Sequence, residues 1–305
     1  MFQAFLIWMD GKELKIAIGC LLKGYQKLSG YDDFLRRSKS VLANLKHNET
    51  DAVISHIIFH EGNIGSSHQD YLKEKSSIDF VFINVEAEFI WTDVSESEFC
   101  YSTTLSDSFS SGYKSMCRFW FDGFIRYTQD YNYLVRIDED CVLYKSSITD
   151  IINEMDSSQA SYATPFIYGV DDSLVTVGLR EFITKFQDDN LLERVYDPSF
   201  NPYTNVSFFN IAKISNNRMF ASFSESVHKS GCIFINRWGD LPLWGCVLQT
   251  CFSRTDILIC SQFKYFHSSI GDLVNKSGLI DSLMERWAFS KIRYRKIKNR
   301  IFIET

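Results

Sequence analysis

Proline is scarce in this chain, 4 residues in 305, and the 15 glycines are thinly spread. No Pro-rich or Ser/Gly-rich stretch is present to link independently folding halves. One domain is therefore expected over residues 1–283, with a compositionally distinct tail at 284–305. Long apolar runs are missing as well. The longest, Phe5–Met9 and Ile16–Leu22, fall far short of the ~20 residues a membrane-spanning helix needs. No basic stretch precedes Phe5–Met9, and Asp10 and Lys12 follow at once, so a secretory signal matches poorly and a cytoplasmic protein is expected. The eight cysteines include no C-x-x-C pair, which speaks against a disulfide framework and for reduced core residues. Cys246 and Cys251, in the same third of the chain as His267, are a weak zinc candidate beside that reading. Neither G-x-x-x-x-G-K-[ST] nor G-x-G-x-x-G occurs, which removes the usual ATPase and nicotinamide-cofactor readings.

What is present is a large apolar fraction, 45%, ample for a sizeable core. The net charge of −6 is unevenly placed. Residues 284–305 carry seven Lys/Arg against Glu285 and Glu304, a net +5, which leaves −11 for the rest. Interleaved Trp287, Phe289, Ile292, Tyr294, Ile297 and Ile301 make this tail a candidate basic amphipathic helix, either a peripheral contact for an anionic membrane or a solvated helix packed on the body. Nucleic acid is not an expected partner of so acidic a body.

Along the chain, Lys15–Leu22 reads as a buried strand ending in a turn at Lys23-Gly24-Tyr25. A helix follows over 34–45, then strands at 52–59 and 78–85. Tyr113–Tyr127 has helical periodicity, Tyr131–Ile137 is β-prone, and Cys141–Tyr144 resumes the apolar character. Residues 190–207 and 253–256 read as loops over a cleft. Alternation of this kind opens an open α/β sheet, in which ligands bind at the carboxyl ends of the strands.

Asp138-Glu139-Asp140 falls at such an end. Two carboxylates at i and i+2 after a buried strand can share one hard divalent cation, which would neutralise charge on a departing diphosphate. A solvated acidic turn is the alternative. A phosphatase of the D-x-D type would place its acids after the first strand with a nearby Ser or Thr, whereas these lie mid-chain. Arg237-Trp238-Gly239-Asp240 would present Trp238 as a stacking platform for a sugar and Asp240 as a hydroxyl acceptor, or else form a turn in which Arg237 and Asp240 cap each other. His267 alone is as compatible with a core position as with a metal ligand.

Taken together, these segments resemble the fungal α-1,2-mannosyltransferases of the Golgi and cell wall, retaining enzymes that use GDP-mannose and manganese. Tyr113-Lys114-Ser115-Met116-Cys117-Arg118-Phe119 looks like the family's Y-R-H-M-C-R-F, and Arg136-Ile137-Asp138-Glu139-Asp140 looks like R-V-E-P-D. Tyr203 through Ile214 is similar to Y-N-T-C-H-F-W-S-N-F-E-I, Asn236–Pro242 to E-R-W-G-D-A-P, and Tyr265-Phe266-His267 to Y-Y-H. The likeness covers residues 113–267; before residue 110 only the strand pattern agrees.

The resemblance implies a single-domain GT-A-type α/β fold with a central mixed, mostly parallel sheet flanked by helices. It also implies a nucleotide-binding half over about 13–145 and an acceptor half over about 146–283. Asp138, Asp140 and His267 would hold Mn²⁺ (or Mg²⁺), and Asp138 and Glu139 would lie along the donor. Tyr113 and Arg118 would sit against the donor, with the backbone at Leu22, Lys23 and Gly24 around base and ribose. Tyr203, Arg237 and Trp238 would face the acceptor, a glycan or lipid-linked glycan, and Asp240 would take part in catalysis. In ungapped register the family's glutamate of N-F-E-I falls on Lys213, leaving Asn210 as the nearest polar side chain for the anomeric centre, and an amide makes no covalent nucleophile. Glu139 replaces the family's proline. The expected activity is metal-dependent, retaining transfer of a hexose, with mannose from GDP-mannose the favoured case; another nucleotide-sugar donor or a silent nucleotide-sugar-binding protein are the rivals.

Overall fold

The computed structural model describes residues 13–45, 52–90, 97–168 and 176–267; the basic tail at 284–305 lies outside them. Its centre is a seven-stranded sheet in the order β10-β6-β9-β4-β1-β2-β3. The strands are β1 (Lys15–Leu21), β2 (Val53–His60), β3 (Phe80–Asn84), β4 (Tyr133–Ile137), β6 (Tyr162–Thr164), β9 (Val206–Asn210) and β10 (Ile257–Ile259). Both partners of β1, β2 and β4, run parallel to it. β9 is antiparallel to β4 and to β6, so the sheet is mixed and mostly parallel. Two small antiparallel pairs complete the strands: β5 (Cys141–Leu143) with β11 (Tyr265–His267), and β7 (Ile167–Tyr168) with β8 (Asn201–Pro202).

Apart from Lys15 and Arg136, β1 and β4 are apolar because both of their faces are covered. Ile16 and Ile18 point into one core with Tyr133, Val135 and Ile137, while Ala17 and Leu134 point into the other with Phe59 and Phe209. The first core is closed by α1 (Asp32–Ala43) and α5 (Ile148–Ser158), whose apolar stripes bury Val41, Ile151, Ile152 and Met155. Beside α1, toward the β3 edge, α2 (Ser66–Ser76) buries Leu72 with Phe34 and Phe80. The opposite core is aromatic and lies under α4 (Ser111–Phe121), α6 (Leu179–Asp189), α8 (Arg218–Ser230) and α10 (Asp240–Thr250). There Trp244 is stacked between Tyr162 at 5.3 Å and Phe220 at 5.7 Å and donates its indole N–H to the Trp120 carbonyl. Three short helices, α3 (Thr104–Asp107), α7 (Ile211–Ser215) and α9 (Cys232–Ile235), turn the chain between these layers. Among the described residues no helix is long and apolar enough to cross a membrane.

Two expectations change in detail. The helix expected over 113–127 is an α-helix to Phe121 followed by a 3-10 segment, Gly123–Tyr127. The loop expected over 190–207 ends earlier, because Val206 and Ser207 already belong to β9 and are fully buried. Gly178, at φ +75°, starts α6 with its Cα against the Phe99 carbonyl, 2.4 Å from where a Cβ would stand. That position fixes the approach of residues 97–101 to the body.

Candidate active site

β1, β2, β3 and β4 all end at one edge of the sheet, and β9, being antiparallel, begins there. The chain leaves β4 through Asp138-Glu139-Asp140, turning with a Cys141 N–H to Asp138 carbonyl bond of 3.1 Å, and returns as β5. β11 pairs with β5 so that His267 stands opposite Cys141. This register brings the His267 ring to Asp140, Nε2 to Oδ1 3.1 Å, across 127 residues of sequence. Tyr203, just before β9, places its hydroxyl 3.1 Å from Nδ1 of the same ring. The Asn205 amide reaches both Asp138 Oδ2 and His267 Nε2 at 3.0 Å.

Asp140 and His267 thus offer a hard oxygen and a borderline nitrogen converging on one point, a donor set that suits Mn²⁺ or Mg²⁺. Cys141 Sγ lies in the same cluster. It is fully buried, turned toward the Asn205 carbonyl, and burial together with the Asp138 and Asp140 carboxylates raises its thiol well above the ordinary value. The oxygen of Asp140 and the nitrogen of His267, with Asn205 beside them, are donors that fit a hard or borderline divalent ion. Cys246, buried within α10, and Cys251, at its C-terminal end, the zinc candidates from sequence, both have their thiols pushed up by burial, and neither lines the cavity at this edge of the sheet.

Asp138 is held differently. Arg136, buried in β4, donates from Nε to its Oδ1 at 2.9 Å and from Nη2 to its Oδ2 at 3.2 Å. Nη1 of the same guanidinium bonds Asp240 at 2.5 Å, and its carbon sits 4.4 Å from the Trp120 ring centre. A charge in an otherwise apolar strand must find partners, and here one arginine orients two carboxylates. Asp240 is the first residue of α10, where a negative charge also meets the helix dipole. The expected alternative of mutual capping by Arg237 and Asp240 does not hold: Arg237, at φ +63°, donates instead to the Tyr113 hydroxyl and packs 4.4 Å from Phe109.

These groups line a cavity of about 490 Å³, with Tyr113, Arg136, Asp138, Tyr203, Asn205, Arg237, Asp240 and His267 on its described walls. At the same edge Glu139 accepts from the Tyr25 hydroxyl at 2.8 Å. Its carboxyl is pushed up to about 7, chiefly by burial and partly offset by that bond. Lys23 and Gly24 form the turn before Tyr25, Gly24 lying against the Asn63 carbonyl, while the Leu22 side chain is buried and its N–H is taken by Phe59.

Four assigned positions lie elsewhere. Trp238 is fully buried, with its indole N–H on the Val177 carbonyl and its ring 5.2 Å from Phe182, so it has no face to offer a sugar. Arg118 lines a separate recess of about 710 Å³ with Asp122 and His228, bonded to Glu88. Asn210 and Lys213 are at the wrong end of the sheet. β9 pairs Asn210 with Tyr133, four residues back from Ile137, roughly 13 Å at a strand's rise. There the Asn210 side chain caps α7 through the Lys213 N–H, and the Lys213 ammonium bonds the Gln159 carbonyl. Neither reaches the cavity. Asn205 and Arg136, by contrast, were assigned no role from sequence; the charge inside Tyr-Leu-Val-Arg-Ile was the available signal for Arg136.

The fold and this edge of the sheet define a GT-A-type glycosyltransferase architecture. The core-mannan synthase A (CmsA/Ktr4) of Aspergillus fumigatus, in its Mn/GDP form, superposes with a TM-score of 0.65 at 14% identity, covering 84% of this chain and 75% of that one. Ktr4p of S. cerevisiae in complex with GDP gives 0.65 at 15% identity, covering 83% and 71%. In sequence, the glycolipid 2-alpha-mannosyltransferase 1 of Candida albicans is 26% identical over 174 residues, 52% of this chain and 40% of that protein. The O-glycoside alpha-1,2-mannosyltransferase omh1 of Schizosaccharomyces pombe is 25% identical over 175 residues, 52% and 44%. No family model matches. The chain is thus similar in sequence, over about half its length, to fungal α-mannosyltransferases, and it spans less than half the length of the curated relatives it matches.

Proposed function

We propose that this chain is a metal-dependent, retaining glycosyltransferase that moves a hexose, with mannose from GDP-mannose favoured, to a glycan hydroxyl. The observation that carries this reading is the convergence of Asp140 and His267, 3.1 Å apart, beside the cavity at the carboxyl edge of the sheet. In support, a structural neighbour of the same fold is named for its Mn/GDP form. A divalent ion held by Asp140 and His267 would supply positive charge against a leaving diphosphate. Tyr203 orients the histidine, and Asn205 couples it to Asp138. The Tyr25–Glu139 pair is placed to meet the nucleoside, and Tyr113 with Arg237 forms the wall an acceptor would approach. The carboxylates on the described cavity wall, Asp138 and Asp240, are both ion-paired with Arg136, which holds their charge and weakens each as a nucleophile. That arrangement favours attack by the acceptor hydroxyl from the face the diphosphate leaves.

The test is nucleotide release from GDP-, UDP- and dTDP-sugars with Mn²⁺, using intact protein, Asp140→Ala, His267→Ala and chelated metal. Release from one donor, lost in all three controls, is the expected result. Donor binding without release at any acceptor supplied would instead mark a silent nucleotide-sugar-binding protein.

A further inference from the structure

We propose that Cys100 and Cys232 form a dithiol site that closes to a disulfide and fastens residues 97–101 to the start of α9, a few residues before the segment that lines the cavity. Their sulfurs stand 2.9 Å apart, less than an ångström beyond the roughly 2.05 Å of an S–S bond, and are separated by 132 residues of sequence. Both thiols face Ser97 Oγ, at 3.4 and 3.6 Å, and Cys100 Sγ also lies 3.0 Å from the Ser230 carbonyl. Cys100 is half-buried, whereas Cys232 is fully buried. The order of events follows from that difference in access.

The two thiols sit where two segments already meet. The Tyr101 N–H donates to Asn236 Oδ1 at 2.7 Å, and Asn236 Nδ2 donates back to the Phe99 carbonyl at 2.7 Å and to Val177 at 2.8 Å. Asn236 is followed directly by Arg237, which lines the cavity. A Cys100–Cys232 bond would make this hydrogen-bonded junction covalent. The chemistry balances with a low-molecular-weight disulfide as oxidant. The Cys100 thiolate attacks one of its sulfurs and expels one small thiol. The Cys232 thiolate then attacks the Cys100 sulfur and expels the second. Two protein S–H groups are oxidised and one small disulfide is reduced to two thiols.

The experiment treats the reduced full chain with oxidised glutathione at mildly alkaline pH, followed by intact mass and non-reducing peptide mapping. The expected product has lost two hydrogens, carries no glutathione, and yields one linked peptide holding Cys100 and Cys232. Closing so long a loop should raise the unfolding midpoint by several degrees over the reduced form. Cys251→Ser, at the other half-buried cysteine, should close equally well. Cys100→Ser and Cys232→Ala should show neither the mass change nor the shift, and the half-buried Cys100 site keeps the comparison sound if Cys232→Ala folds poorly. A stable glutathione adduct on Cys100, a linkage between other cysteines, or no reaction would each overturn the proposal.

Discussion

Arg136 is a single cation shared by Asp138 and Asp240, and its removal is the most informative perturbation of the site. Its side chain is 4% exposed and Asp240's is 10%. In Asp240→Asn the guanidinium keeps Asp138 but loses a charge-assisted bond, worth about 1.5–3 kcal/mol, and α10 loses a favourable first-turn charge worth about 0.3–1. In Arg136→Met two carboxylates are left close together without a counter-charge, and breaking a buried pair in this way costs about 3–5 kcal/mol. If the three groups act as a unit, Arg136→Met/Asp240→Asn should cost little more than Arg136→Met alone, because the second change removes one of the orphaned charges. Urea unfolding of the four proteins measures this directly, with a coupling of about 2 kcal/mol expected. Losses that simply add, to within about 0.5 kcal/mol, would refute the shared-cation reading.

Mn²⁺ binding, followed by calorimetry, should be lost in Asp140→Ala and in His267→Ala but kept in Cys141→Ala; loss in all three would make the thiol a ligand. Burial lowers the pKa of His60 below its usual 6.5, so the unfolded chain binds more protons there. Stability from this residue is therefore present above about pH 6.5 and falls as pH drops through it, and His60→Phe should flatten that acid-side slope in pH-dependent urea melts. Trp244→Ala should cost about 3–5 kcal/mol through loss of its stacked neighbours, the upper range for a core truncation, read from the denaturation midpoint. Gly178→Ala should destabilise by about 1–3 kcal/mol, since it adds both a left-handed backbone penalty and a clash with the Phe99 carbonyl; an unchanged thermal midpoint would show that residues 97–101 move aside at no cost.

Of the sheet's seven strands, β1 to β4 were legible as mostly apolar runs, which burial on both faces produces in Lys15–Leu21 and Tyr133–Ile137, whereas β6, β9 and β10 were not read as strands. Asp138, Asp140 and His267 were legible as a set only through their resemblance to ordered family motifs; periodicity gave no sign that β11 would pair with β5. The assignments to Asn210 and Lys213 went astray for a topological reason. A strand that enters at the site leaves at the far edge, so a motif running through β9 has only its first residues, Tyr203 to Asn205, at the cavity. Trp238 went astray because an aromatic in a polar loop looks exposed until the helix it packs on, α6, is in place. Nothing local in the sequence signals that α6 and the 236–240 turn meet.

The ladder that delivers His267 is three residues long. On the proposed reading, in which Asp140 and His267 hold an ion, a residue brought in on so short a ladder across 127 residues makes ion capture and strand docking one equilibrium. Whatever ion spans Asp140 and His267 becomes a staple at the end of that excursion, stabilising the docked strand by its own binding energy. Chelation should then do more than stop chemistry. It should loosen β11 from β5, so that amide protection at Tyr265 to His267 tracks free Mn²⁺ concentration while that of β1 does not.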